Sequence, residues 1–135
     1  MFKTVLFPID QSREAREAVD VVTNVVQKHD SRLVLLSVVE TSPADTSSPD
    51  PMMSAEAVAK LLENAQSFFS GQGITSEIIE REGKAAFTIC DVADEVGADL
   101  IIMGCRGLGL TEEGATDSVT TRVINLSPCP VLIVP

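Results

Sequence analysis

Gly104, Gly107 and Gly109 follow directly on the apolar run Asp99–Met103. Glycine accepts positive φ and carries no Cβ, so such a loop lets backbone amides approach an anion closely. Ser118 stands further along, at the expected start of a helix whose unpaired amides and dipole also favour negative charge. Together these residues outline a phosphate cradle. Arg106 is the one cation of the loop, whereas Glu112, Glu113 and Asp117 bring negative charge to it. Two like charges ~4 Å apart repel by about 4 kcal/mol at an effective dielectric of roughly 20. Asp117 against a phosphate would therefore oppose its binding, unless it turned outward or a divalent cation such as Mg2+ bridged the two.

Other residue types that could do chemistry are sparse. His29 is the single histidine and falls at the far end of the first expected helix, so a Ser-His-Asp or Cys-His arrangement has no evident base. Cys90, Cys105 and Cys129 form no C-x-x-C pair and are read as reduced thiols. Cys105 lies beside Arg106, whose charge would lower a thiol pKa. Asp10, two residues after Pro8, is placed to cap the following helix, as is Ser12.

These residues need a scaffold. Lys3–Ile9 and Arg32–Val39 read as strands, the second almost wholly apolar and so expected in the middle of a covered sheet. Between them Ala15, Ala18, Val19, Val22, Val25 and Val26 recur at helical spacing up to His29 and Asp30. Residues 41–51 hold three of the seven prolines among Ser, Thr and Asp and read as a flexible connection, either a lid or a linker. A second helix spans Ser54–Gln72 with Ala55, Val58, Leu61, Leu62, Ala65 and Phe68 as its apolar stripe. A more polar strand, Ile74–Arg81, fits a sheet edge. The helix Gly83–Val96, the strand Asp99–Met103, a helix Ser118–Leu126 and the strand Pro130–Val134 complete the order. Strict alternation of five strands and four helices predicts a single α/β domain over residues 1–135, a doubly wound parallel sheet with helices on both faces. Ligands of such sheets sit at the strands' carboxyl ends where the winding reverses, which selects the segments after the first and fourth strands.

Composition removes several function classes. A net charge of −10 argues against a nucleic-acid backbone as partner. With neither Trp nor Tyr and five Phe, few rings are present for base stacking. No apolar run approaches a membrane span, and the chain enters a strand at once without a leader-like segment, so a cytoplasmic location is expected.

The segment Ile102–Val134 resembles the carboxyl-terminal half of the universal stress proteins. Their nucleotide motif is a glycine, two residues, a second glycine, nine residues, then Gly and Ser or Thr. Gly104 and Gly107 match the first two positions, Leu108–Thr116 the spacing and Ser118 the hydroxyl, while Asp117 stands where that family has glycine. Val5–Ser12 (VLFPIDQS) is similar to the family's first strand with its Pro-x-Asp, and Ser127–Val134 (SPCPVLIV) resembles its last. The resemblance implies an adenine nucleotide alpha hydrolase-like fold and an adenine nucleotide, AMP or ATP, as ligand. On this basis Pro8 and Asp10 would lie by the adenosine and Val38 would offer backbone groups to the adenine edge. Met103 and Gly104 would line base and ribose, and Gly107, Ser118 and Val119 would face phosphate, with Arg106 and Asp117 setting the charge there. It further implies a stress-response regulator rather than an enzyme, weak ATP hydrolysis aside, and a homodimer through residues 131–134. The other reading is a dimeric interaction module whose phosphate site Asp117 has closed.

Overall fold

Successive residues of a strand point to opposite faces, so an apolar run without polar alternation needs cover on both sides. The computed structural model describes residues 2–9, 13–39, 55–104 and 119–135 and meets that need with a five-stranded sheet between two helical layers. The strands are β1 (Thr4–Pro8), β2 (Arg32–Val39), β3 (Ser76–Glu82), β4 (Leu100–Gly104) and β5 (Val131–Val134). The helices are α1 (Arg13–His29), α2 (Ala55–Gly71), α3 (Ala85–Val96) and α4 (Val119–Leu126). All ladders are parallel, in the order β3-β2-β1-β4-β5. The chain winds outward from β1 to β3, crosses back to β4 and winds outward on the other side, which is the expected doubly wound arrangement. Residues 41–51, read above as a connection or lid, lie outside the described residues.

Each face of the sheet has its own core. Val5, Phe7, Leu33, Leu35, Leu100 and Ile102 pack beneath Ala18, Val22 and Val26 of α1 and Val58, Leu62 and Phe69 of α2. Leu6, Val34, Leu36, Ile101 and Met103 face the other way, onto Ala86, Ile89 and Val92 of α3 and Val123 of α4. β2 is interior, as its composition demands, but the middle strand is β1. β3 is an edge, with Glu77, Glu80, Arg81 and Glu82 exposed along it. Its ion pairs, Arg32–Glu77 at 2.6 Å and Arg81–Glu95 at 2.9 Å, are about half exposed and contribute little.

Three sequence expectations need correction. The α2 stripe ends on Phe69 rather than Phe68: Phe69 is fully buried, whereas Phe68 is 45% exposed. Val58, Leu62, Ala65 and Phe69 follow a four-three-four spacing, and the next residue back lies about 100° around the helix. Phe69 meets Phe7 edge-on at 6.3 Å between ring centroids. β3 begins at Ser76 because Ile74 still belongs to the end of α2, its N–H donating to the Phe69 carbonyl at 2.9 Å. α3 begins at Ala85, two residues later than its composition suggests, after an extended Lys84. The stop of α1 is where expected: Asp30 adopts φ 52°, and the Ser31 N–H returns to the Val26 carbonyl at 3.1 Å. Gly97 ends α3 in the same way at φ 68°.

One long-range contact sets the geometry on which the site depends. Asp99 Oδ2 accepts from the backbone N–H of Lys3 at 3.0 Å and of Thr4 at 3.3 Å. The Asp99 N–H in turn donates to the Thr4 carbonyl at 2.8 Å. β1 is thereby pinned to β4 at its amino end, so any separation of these neighbours occurs at the carboxyl end.

Candidate functional site

Backbone groups along a strand point alternately to its two neighbours. Ile9 donates its N–H to the Leu36 carbonyl of β2 at 2.8 Å, and the Thr4 carbonyl accepts from Asp99 beside β4. Pro8 therefore turns its nitrogen towards β4, where the next ladder bond needs an N–H that proline lacks. The β1–β4 pairing accordingly covers Val5–Leu100 and Leu6–Ile101. β4 runs on in register with β5 as far as Gly104–Val134. The winding reverses between these same strands, so their carboxyl ends form the mouth of a crevice with Pro8 on one lip and Gly104 on the other.

β2 supplies the next wall. Leu36 faces β1, and alternation places the backbone N–H and C=O of Val38 on the same side, beyond Pro8, the last residue of β1 paired with β2. These groups are offered at the crevice end of the sheet. The outward side of the β2 terminus is closed by Gly83, whose N–H donates to the Val39 carbonyl at 3.0 Å. Gly83 has φ 145°, and a Cβ there would lie 2.8 Å from Thr88 Oγ1. This turn was not singled out from sequence; its only signal is a glycine between a strand and a helix.

Pro8, Val38, Met103, Gly104 and Val119 thus share the carboxyl-terminal edge of the sheet and the helix start beside it. Met103 contributes backbone there, because its side chain is 6% exposed and sits in the α3–α4 core. Val119, half-buried, opens α4 and packs against that same core. Asp10, Arg106, Gly107, Asp117 and Ser118 lie outside the described residues, as does Cys105.

The remaining reactive side chains are elsewhere. α1 runs from the carboxyl end of β1 to the amino end of β2, so His29 is carried to the opposite edge of the sheet, exposed and edge-on to Phe2 at 5.3 Å. Burial pushes the Cys90 thiol above its ordinary pKa, and Asp91 and Cys129 add to the rise. Cys129 is raised mainly by burial as well, against a hydrogen bond from Ser127 that lowers it. Neither has the thiolate character of a nucleophile. A shallow depression of about 380 Å³, lined by Gln66, Ser67, Ser70, Ile74, Thr75 and Ser76, lies at the amino end of β3 and is remote from the crevice. Among the described residues, no cluster of metal-ligating side chains occurs and no helix is long and apolar enough to cross a membrane.

Comparison with known proteins agrees with this arrangement. The model of the universal stress protein family matches residues 1–135. Universal stress protein Sll1654 of Synechocystis is 66% identical over 136 residues, covering all of this chain and 87% of that protein. Universal stress protein YxiE of Bacillus subtilis is 31% identical over 147 residues and 99% of each chain. Among solved structures, universal stress protein UspA from Lactobacillus plantarum superimposes with a TM-score of 0.82 at 27% identity, over 99% of this chain and 98% of that one. A universal stress protein in complex with cAMP gives 0.81 at 26% identity, over 99% and 97%. The fold is the adenine nucleotide alpha hydrolase-like one, and the chain belongs to the universal stress protein family.

Proposed function

We propose that this protein binds an adenine nucleotide in the crevice between β1 and β4 and acts as a cytoplasmic stress-response regulator without a catalytic cycle of its own. The observation that carries this reading is the early end of the β1–β4 ladder at Leu6–Ile101, short of Pro8, which leaves an opening at the switch point between Pro8, the Val38 backbone and Gly104. The Val38 N–H and C=O, side by side at the end of β2, form a donor and acceptor pair of the kind an adenine edge complements. Gly104 and the start of α4 at Val119 flank the place for the sugar and phosphate, in keeping with anion binding at helix amino ends. The structural neighbour solved with cAMP supports an adenine nucleotide as the ligand class.

AMP, or another lightly charged adenine nucleotide, is favoured over ATP. Asp117 in place of the motif glycine, with Glu112 and Glu113 nearby in sequence, sets negative charge against each added phosphate, and Mg2+ bridging carboxylate and phosphate would relieve it. No general base for ATP hydrolysis is assigned, since the single histidine lies at the opposite edge. A second reading, an interaction module acting as a dimer, draws on β5: this edge strand carries Val131, Leu132, Ile133 and Val134 and no charge. Calorimetric titration of nucleotide-stripped protein with AMP, ADP and ATP, with and without Mg2+, and of Asp117→Gly tests the choice. AMP affinity that weakens with added phosphates and recovers in Asp117→Gly is the expected result; ATP binding tighter than AMP without metal contradicts the preference, and no binding of any nucleotide selects the interaction module.

A further inference from the structure

We propose that the depression between α2 and β3 binds a small aliphatic amine in its protonated form, at a site separate from the crevice. Its lining, Gln66, Ser67, Ser70, Ile74, Thr75 and Ser76, carries hydroxyls and one carboxamide and no charged group. At about 380 Å³ it falls at the lower end of the range for small-molecule sites, roughly 300–1,000 Å³.

Ser76 singles this place out. It stands in register with Leu33, whose side chain lies in the core beneath α1 and α2, so the Ser76 side chain is turned to the α2 face as well. The residue is 7% exposed, and its Oγ is buried without a hydrogen-bond partner. An unpaired buried hydroxyl costs stability that an alanine would not. A donor entering the depression gives this oxygen its partner. Gln66 ties the two walls together, its Nε2 donating to the Ser76 carbonyl at 2.9 Å.

Electrostatics select the charge of the ligand. The depression includes Ser70 of the last turn of α2, the negative end of the helix dipole. That turn carries no basic residue, and the bonds that Gln72, Gly73 and Ile74 donate to the Phe69 and Ser70 carbonyls bring no positive charge. Glu63 is exposed and precedes Gln66, Ser67 and Ser70 by three, four and seven residues, hence on the same helix face. An anion here meets the wrong pole of the helix and no cation. A metal ion meets hydroxyls where it needs carboxylates or imidazoles. A primary ammonium brings three donors to hydroxyl oxygens able to accept them, and it is charged at neutral pH. The net charge of −10 raises the local concentration of such cations further.

Titration of the full, isotope-labelled chain with 1,4-diaminobutane, and separately with the uncharged isostere 1,4-butanediol, tests the proposal through amide chemical shifts. The expected result is saturable shifts at Ser67, Ser70, Thr75 and Ser76 with the diamine and none with the diol. Ser76→Ala is expected to weaken diamine binding about tenfold or more, as loss of a hydrogen bond to a charged group does. Ser70→Lys sets a cation at the site and is expected to abolish binding, while the uncharged Ser70→Gln retains it; Ser70 is exposed and a basic residue suits the last turn of a helix, so both variants keep the fold. Equal binding of the diol overturns the selection by charge. Diamine shifts that do not saturate, or that spread along Glu77, Glu80 and Glu82 of β3, overturn the site, as does unchanged affinity in Ser76→Ala or in Ser70→Lys.

Discussion

Replacing Gly83 by alanine separates backbone strain from side-chain crowding at the rim of the crevice. At φ 145° an L-residue is outside its ordinary regions, and holding one there costs about 1–3 kcal/mol. The added Cβ would also meet Thr88 Oγ1 at 2.8 Å, inside van der Waals contact; crowding of this sort costs about 1–3 kcal/mol. Reduced freedom of the unfolded chain offsets about 0.4–1 kcal/mol. The expected net loss for Gly83→Ala is about 2–4 kcal/mol, read as a lower urea midpoint at unchanged slope. Against a Thr88→Ala background the methyl no longer meets the hydroxyl, so the loss falls by about 1 kcal/mol or more while the φ penalty stays. Gly71→Ala is the control: nothing lies within 4 Å of its added Cβ, and a change between zero and about 1 kcal/mol of stabilisation is expected at the end of a helix. A Gly83→Ala midpoint within about 0.5 kcal/mol of wild type, or an equal loss in both backgrounds, refutes the reasoning.

The same denaturation assay checks other parts of the core. Phe69→Ala, which empties the space against Phe7, is expected to cost about 3–5 kcal/mol, and Phe68→Ala much less. Ser76 is 7% exposed and its Oγ has no hydrogen-bond partner, so Ser76→Ala is expected to be neutral or stabilising by up to about 1 kcal/mol. Burial favours the neutral thiol of Cys90, whose ordinary pKa is 9.0. The folded state therefore holds its proton to higher pH than the unfolded chain, and the associated stability is complete below pH 9.0 and lost above it. A thiol reagent at neutral pH should label Cys90 slowly in native protein and rapidly in urea; fast native labelling contradicts the burial.

Much of the scaffold was legible because local pattern and tertiary demand agree. Leu33–Leu36 is apolar at every position, and all four side chains are fully buried. Charged residues on Ser76–Glu82 likewise marked an edge. The choice between Phe68 and Phe69 was not legible, since adjacent phenylalanines both satisfy an approximate stripe and the ring of Phe7, far away in sequence, decides between them. Asp99 was read as the first residue of a strand; its carboxylate bonds to Lys3 and Thr4 depend on strands brought together from opposite ends of the chain. At the crevice, Pro8 and Gly104 declared strand ends through their own chemistry. Gly83 did not, because its necessity comes from Thr88 and the Val39 carbonyl rather than from its neighbours' composition.

The central claim places an adenine nucleotide at the reversal point of the sheet, and amide chemical shifts followed during titration of isotope-labelled protein with AMP test it most directly. Saturable shifts at Ile9, Val38, Gly104 and Val119, with Ser67, Ser70 and Ser76 unmoved, are the result expected from the geometry. Absence of saturable shifts, or shifts confined to the depression beside α2 and β3, would contradict it.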